Sequence, residues 1–267
     1  MAAKTNLTEA RKKGATVRGG KRALRIAHQI VSEIGQGDFE IGDKLPSEQE
    51  MLAQYRVARA TLREALRFLE LQGVIHLKPG PGGGPVVCEP KPDNFASTMA
   101  LLLQFLGADF RSLVEVRQAI GPSMAAHAAE RATVDDLGRL RRSLDRLRHL
   151  SGTSSDFAEE NRRFHDILAW ASGNQLIGFL VVALHHITNT SGIGITYSES
   201  ERNYQMKAYE RILSAIEDRN PELASTEMLR FVRRSDSYLE KRYPELMSQR
   251  VRWDDVPAMM RDSRLAS

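Results

Sequence analysis

A single cysteine, Cys88, stands in 267 residues. No intramolecular disulfide can therefore form, and no cysteine-rich zinc site is available. Long apolar runs are missing as well. The most apolar stretch, Met99-Ala-Leu-Leu-Leu-Gln-Phe-Leu106, falls far short of the ~18 residues of a membrane span. The N-terminus has no apolar core of the ~7–15 residues that mark a signal peptide. These absences make a cytoplasmic location the expectation. Charge of one sign is barely in excess, at +4, and a composition of 42% hydrophobic and 27% charged residues is that of an ordinary globular chain. Its length suits two modest domains. The signatures of catalysis are also scarce: no Glu-x-x-His pairs on helices, no nucleophile–base arrangement, and no glycine loop between a strand and a helix. An enzyme is not expected.

What is present is ordered along the chain. Lys4, Arg11, Lys12, Lys13, Arg18, Lys21, Arg22 and Arg25 face only Glu9 in the first 25 residues. Residues 1–20 form a basic tail expected to be disordered, suited to phosphate contacts or only to solubility. From Lys21 a helical pattern runs with Leu24, Ala27, Val31 and Ile34 on one face, stopping at Gly35-Gln-Gly37. Ser47 with Glu50 three residues on predicts a capping box opening a second helix. Val57 falls in a turn, packed between that helix and a third near 58–72. The third helix has an inner face of Leu62, Ala65, Leu66 and Leu69, and Gly73 is its stop. Val74-Ile-His-Leu77 and Val86-Val87 read as strands about the Pro79–Pro85 turn. Helix, turn, arginine-bearing helix and wing is the order that places one helix in a DNA major groove.

Arg59, Arg63 and Arg67 lie four apart along one flank of the third helix. Arginines there can bridge guanine O6 and N7 with two hydrogen bonds. Thr61 suits a phosphate or base, the amides at Ser47 suit a phosphate, and Gln49 can add a contact. Lys78 and the backbone at Gly80 belong to the wing. The competing reading makes the arginines a solvated face paired with Glu64 and Glu70.

The motifs resemble the winged helix-turn-helix of GntR-type bacterial regulators: Leu45-Pro-Ser-Glu48, Arg59, Arg63-Glu-Ala-Leu66, Gly73 and the 79–85 turn. The likeness covers residues 21–88. Gln49 departs from a frequent arginine, and Ala58 and Ala60 from frequent hydroxyl residues. The resemblance implies a homodimer reading a short inverted repeat in double-stranded DNA.

Glu89-Pro-Lys-Pro-Asp93 reads as a stiff linker. After it every periodic segment is helical, near 94–106, 109–131, 134–150, 156–172, 174–190, 200–218 and 221–243. The fold class expected is therefore mainly α: a winged helix-turn-helix over 21–88 and an all-helical bundle over 94–245, with a tail over 246–267. The bundle resembles the FCD subclass of the same regulators at Glu115-Val-Arg117, Phe164-His165, Ala171-Ser-Gly-Asn174 and Ile212-Leu-Ser-Ala-Ile216. That subclass dimerises through the bundle and holds an effector in it, often with a metal on an aspartate and three histidines. The matching positions here are Asn161, His165, Tyr209 and Phe231, so no metal or other cofactor is expected, although His185 or His186 would be the residues to rescue a site. The effector contacts expected are Arg117, Asn161, His165 and Tyr209, with a small organic acid or acyl-CoA-type molecule as ligand. His165 as a hydrogen-bonded core histidine, and Arg117 in a salt bridge within the bundle, stand as the structural alternatives. The function expected is a ligand-modulated transcriptional regulator, repression being the expected sense. An architectural DNA-binding protein or a helical-bundle enzyme are the alternatives.

Overall fold

The computed structural model describes residues 20–80, 82–150, 154–188 and 195–255. The basic tail lies outside these residues. Two units divide between Asn94 and Phe95.

In the first unit, α1 spans 20–35. Its buried row is Ala23, Ile26, Ala27 and Ile30, whereas Leu24 and Val31, expected inside, are 43% and 42% exposed. Two apolar rows one residue apart share this helix, and the row containing the small alanines is the one that packs on the core. Helix α2, Glu48–Tyr55, opens with the expected capping box. The Glu50 amide donates to Ser47 Oγ at 3.3 Å and the Ser47 amide donates to Glu50 at 2.7 Å. These hydrogen bonds hold the Glu50 carboxyl below its usual pKa. Arg56 turns the chain in the left-handed region at φ 49°, and Arg22 Nη2 fastens that turn by donating to its carbonyl. Helix α3, Arg59–Leu71, buries Leu62, Ala65, Leu66 and Leu69, the predicted face. Truncating Leu62 or Leu69 to alanine there costs roughly 2–5 kcal/mol.

Strands β1, Ile75–Lys78, and β2, Gly84–Val87, pair antiparallel with Ile75 opposite Val87 and Lys78 opposite Gly84. The chain before α2 adds to this ribbon, which sequence periodicity did not reveal. The Leu45 amide donates to the Pro85 carbonyl, and Asp43 and Val87 are likewise bonded. Two positions require glycine. A Cβ on Gly83 would come within 2.2 Å of the Lys78 carbonyl oxygen, and Gly73, at φ +73°, abuts the Asn94 side chain that donates to the Leu71 carbonyl.

The second unit is all helical among its described residues. Helix α4, Pro92–Leu106, takes in the last two residues of the expected linker, with Pro92 as its first residue. It is followed by α5, Phe110–Arg131, α6, Val134–His149, α7, Ser154–Ala171, α8, Gln175–Ile187, α9, Glu199–Glu217, and α10, Pro221–Arg242. Side-chain caps explain most of the starts: Asp109, Thr133, Asn174, Ser198 and Asn220 each accept from an amide of the first turn. Helices α5 and α10 pack along their length, with Gly121 against Met228 and Val232. Pro122 removes one internal hydrogen bond of α5 at this level.

The expected tail is corrected. Pro244–Met247 forms a short helix, α11, and Met247 is buried. Phe110 donates to the Gln249 carbonyl, Val251 donates to that of Ala108, and the Trp253 indole donates to Ser97 Oγ at 2.8 Å. Four-residue helices and backbone pairing carry no periodicity, so 246–255 looked unstructured. Residues 256–267 lie outside the described part. Among the described residues no helix is long and apolar enough to cross a membrane.

Candidate DNA-reading face and ligand cavity

The start of α2 and the start of α3 are tied by one carboxylate. Glu48 Oε1 lies 3.4 Å from Arg63 Nε and 3.9 Å from Arg59 Nε, and both arginine side chains are 69% exposed. Arg67 pairs within α3 with Glu70. Glu70 also accepts from the Leu77 amide, so it joins α3 to the wing and is more than a solvated partner. Exposed pairs of this kind contribute about 0–1 kcal/mol. Arg59 and Arg63 are thus held side by side but weakly. Gln49 and Ser47 are exposed beside them, Thr61 is half-buried, and Lys78 and Gly80 are exposed in the wing. Lys44, not singled out from sequence, donates to the Gly82 carbonyl at 2.6 Å and braces the wing turn.

In the second unit the four positions Asn161, His165, Tyr209 and Phe231 do come together. Tyr209 is fully buried. Its hydroxyl donates to Asn161 Oδ1 and lies 3.0 Å from His165 Nε2. With that proton spent on Asn161, His165 must donate from Nε2, which leaves Nδ1 as an acceptor. Phe231 stacks on the His165 ring at 5.4 Å, and Phe164 stacks on Tyr209 at 4.5 Å. Burial first, then electrostatic repulsion from His185 and Arg117, holds His165 well below its usual pKa of 6.5. Burial raises Tyr209 well above 10. The quartet is bonded within itself, with His165, Tyr209 and Phe231 buried.

One side of it borders a cavity of about 50 Å³ (volume open to the centre of a water molecule). The walls are Leu113, Val114, Ile120 and Met124 of α5, Val181 and Leu184 of α8, and Met228, Val232 and Leu239 of α10. Arg117, His165, His185, Thr188 and Tyr197 supply the polar atoms. Of the four expected effector contacts, Arg117 and His165 line this cavity. Asn161 and Tyr209 do not line the cavity, because the Tyr209 hydroxyl is consumed between His165 and Asn161. They position His165 from behind.

Two carboxylate neighbours were missed. Asp166 Oδ1 lies 2.6 Å from Nδ1 of His185, whose ring is 6.0 Å from that of His165. Asp236 of α10 receives the Arg117 Nη2 bond at 2.5 Å, while Arg117 Nε is buried without a hydrogen-bond partner. Burial raises the Asp236 pKa despite the opposing Arg117 charge. Aspartates are ordinary on helices, so nothing in the sequence singles out this one.

A helix presenting Arg59 and Arg63 beside a glycine-built wing, and a helical unit with a cavity, define a winged-helix DNA-binding regulator with a ligand-binding module. Comparison with known proteins agrees. The family model of bacterial regulatory proteins of the gntR family matches residues 22–83, and that of the FCD domain matches 112–234. The HTH-type transcriptional regulator YcbG of Bacillus subtilis is 29% identical over 82% of this chain and 91% of its own length. LutR of the same organism is 29% identical over 73% of this chain and 91% of its own. The repressor NanR of Cronobacter sakazakii is 27% identical over 76% and 80%. A solved GntR structure from Streptococcus agalactiae shares the fold at a TM-score of 0.60 and 22% identity, covering 80% of this chain and 99% of that one. The chain belongs to the GntR family of transcriptional regulators, in its FCD subclass.

Proposed function

We propose that the protein is a homodimeric, cytoplasmic regulator that reads an inverted repeat through Arg59 and Arg63 and is switched, without catalysis, by a ligand in the helical unit. The observation that carries the DNA reading is the shared Glu48, which aligns both guanidinium groups at the exposed start of α3. Thr61 and Gln49 add contacts, and the Ser47 end of α2 takes a phosphate. Lys78 and the Gly80 backbone lie against the duplex beside the recognition helix. Arg63→Ala tests this directly. Fluorescence anisotropy against the promoter DNA of its own gene should show a loss of about 1–3 kcal/mol per half-site. Scrambled DNA should be bound almost as before. Unchanged operator affinity, or an equal loss on both DNAs, contradicts the assignment.

For the dimer, α4 offers a surface that matches a second copy. Phe95, Leu102, Phe105 and Leu106 are 41%, 58%, 83% and 80% exposed, and no charged side chain occurs from Asn94 to Ala108. At about 150–200 Å² per large side chain, these residues expose about 450 Å². That is over half of the ~800 Å² each partner buries in a stable interface. Phe105→Glu should shift the chain from dimer to monomer in sedimentation equilibrium. A wild-type monomer at micromolar concentration contradicts this surface.

The quartet does not fit a resident divalent ion. Of its side chains only His165 supplies a ring nitrogen, its Nε2 is bonded to Tyr209 and its face is covered by Phe231. A metal-independent effector site follows, with Arg117 as the anion contact. Elemental analysis of purified protein tests it: near-stoichiometric zinc or nickel contradicts the proposal.

A further inference from the structure

We propose that the cavity takes a compact, largely apolar monocarboxylate, and that its carboxylate replaces Asp236 on the Arg117 guanidinium. This rests on reading the helical unit as an effector domain and names the ligand class and the switch of that site.

The carrying observation is a half-used fork. A guanidinium binds a carboxylate best through two parallel N–H bonds. Asp236 takes only Nη2, through Oδ1, and leaves Nε buried and unpartnered at the cavity wall. A buried donor without a partner is a standing penalty. A free carboxylate is not tethered to α10, so it can span Nε and Nη2 together and satisfy both. Asp236 thus acts as an internal stand-in for the ligand, held in place until a better-fitting carboxylate arrives.

Wall chemistry sets the rest of the molecule. Val114, Met124, Val181, Val232 and Leu239 offer no hydrogen bonds. Each hydroxyl of a sugar acid that faces these walls would be stripped of water without return, leaving only His165, His185, Thr188 and Tyr197 to answer the others. By the same measure a water needs roughly 10–15 Å³, so the cavity holds about four, the scale of a short branched or single-ring acid. An acyl-CoA thioester exceeds that space and would also bring a polyanionic tail.

The exchange reaches the helix packing. Asp236 sits on α10 between two wall residues, Val232 and Leu239, and its bond to Arg117 cross-links α10 to α5. Replacing it by a ligand oxygen removes that cross-link while filling the space between the same helices. The empty and filled states therefore differ in how α5 is joined to α10, which gives a ligand a differential contact with two arrangements.

Titration calorimetry on the full-length protein decides the matter, with isovalerate and benzoate against benzyl alcohol, gluconate and octanoyl-CoA. Isovalerate or benzoate should bind at least tenfold more tightly than any of the other three. Asp236→Asn, close in shape, should tighten binding of the acids by threefold or more. Arg117→Lys should weaken it at least tenfold with the thermal transition retained, because the charge remains and the fork does not. Equal affinity for benzyl alcohol and benzoate, preference for gluconate or the thioester, no binding of either acid, or weaker binding to Asp236→Asn would each overturn the proposal. Operator affinity of the ligand-free samples separates the two claims. Firm operator binding with no acid bound removes only this inference. Absent operator binding removes the DNA-reading proposal and leaves the calorimetry to decide the ligand class.

Discussion

Replacing Tyr209 by phenylalanine removes one oxygen and leaves the aromatic stack on Phe164 in place. The cost falls on the groups the hydroxyl served. Asn161 Oδ1 loses its donor and His165 Nε2 loses its acceptor, beside a fully buried ring. Each stranded buried group costs about 1–3 kcal/mol, and the phenol no longer has to be desolvated. A net loss of about 2–4 kcal/mol is expected. For a unit of this size about 1 kcal/mol moves the midpoint by roughly 2–4 °C, so differential scanning calorimetry should record a fall of roughly 5–15 °C. A second substitution sharpens the test. Asn161→Leu on the Tyr209→Phe background removes one of the stranded groups, so the double variant should lie well above the sum of the two single losses, by at least about 1 kcal/mol. A midpoint moved by less than about 1 °C, or strictly additive losses, would refute the view of the quartet as a closed hydrogen-bonded unit.

Other outcomes follow from the same geometry. Because the folded pKa of His165 lies below its unfolded value of 6.5, the unfolded chain binds a proton that the folded chain refuses. This histidine's contribution is complete above pH ~6.5 and is lost as pH falls below it, by up to about 1.4 kcal/mol per pH unit. Urea titrations of the wild type between pH 7 and 5 should therefore fall more steeply than those of His165→Asn, and parallel curves would contradict the burial account. Converting the quartet by Asn161→Asp, Tyr209→His and Phe231→His together should create nickel or zinc binding measurable by calorimetry. Failure to bind metal in a folded triple variant would show that the four positions do not converge as described. Gly83→Ala forces a Cβ into the Lys78 carbonyl and should weaken operator binding several-fold, with helicity by circular dichroism retained; unchanged affinity would remove the wing from the interface.

Much of this molecule was legible in its residues because local chemistry repeats where structure demands it. Ser47 and Glu50, Asn174, and Asn220 with Pro221 announce helix starts by satisfying free amides, and those starts lie where the sequence placed them. The apolar row of α3 is unambiguous since Leu62, Ala65, Leu66 and Leu69 have no competing row. In α1 two such rows lie one residue apart, and only packing decides that Ile26 and Ile30 go inside while Leu24 and Val31 face out. Partnerships across the chain were harder. Glu48 between two arginines, Lys44 on the wing turn and Asp236 on Arg117 join residues 11 to 119 positions apart, and no spacing rule connects them. Tyr209 shows the same limit from the other side. Its position was found by motif, but whether its hydroxyl faced a cavity or a neighbouring histidine depended on the orientation of its ring in the core.

The most direct test of the whole account is selection of the full-length protein against a random duplex library, followed by sequencing of the retained DNA. Two half-sites of inverted symmetry, each with a guanine whose enrichment disappears in Arg63→Ala, are the expected outcome. Retained DNA without any common sequence, bound with an affinity set by salt alone, would contradict it.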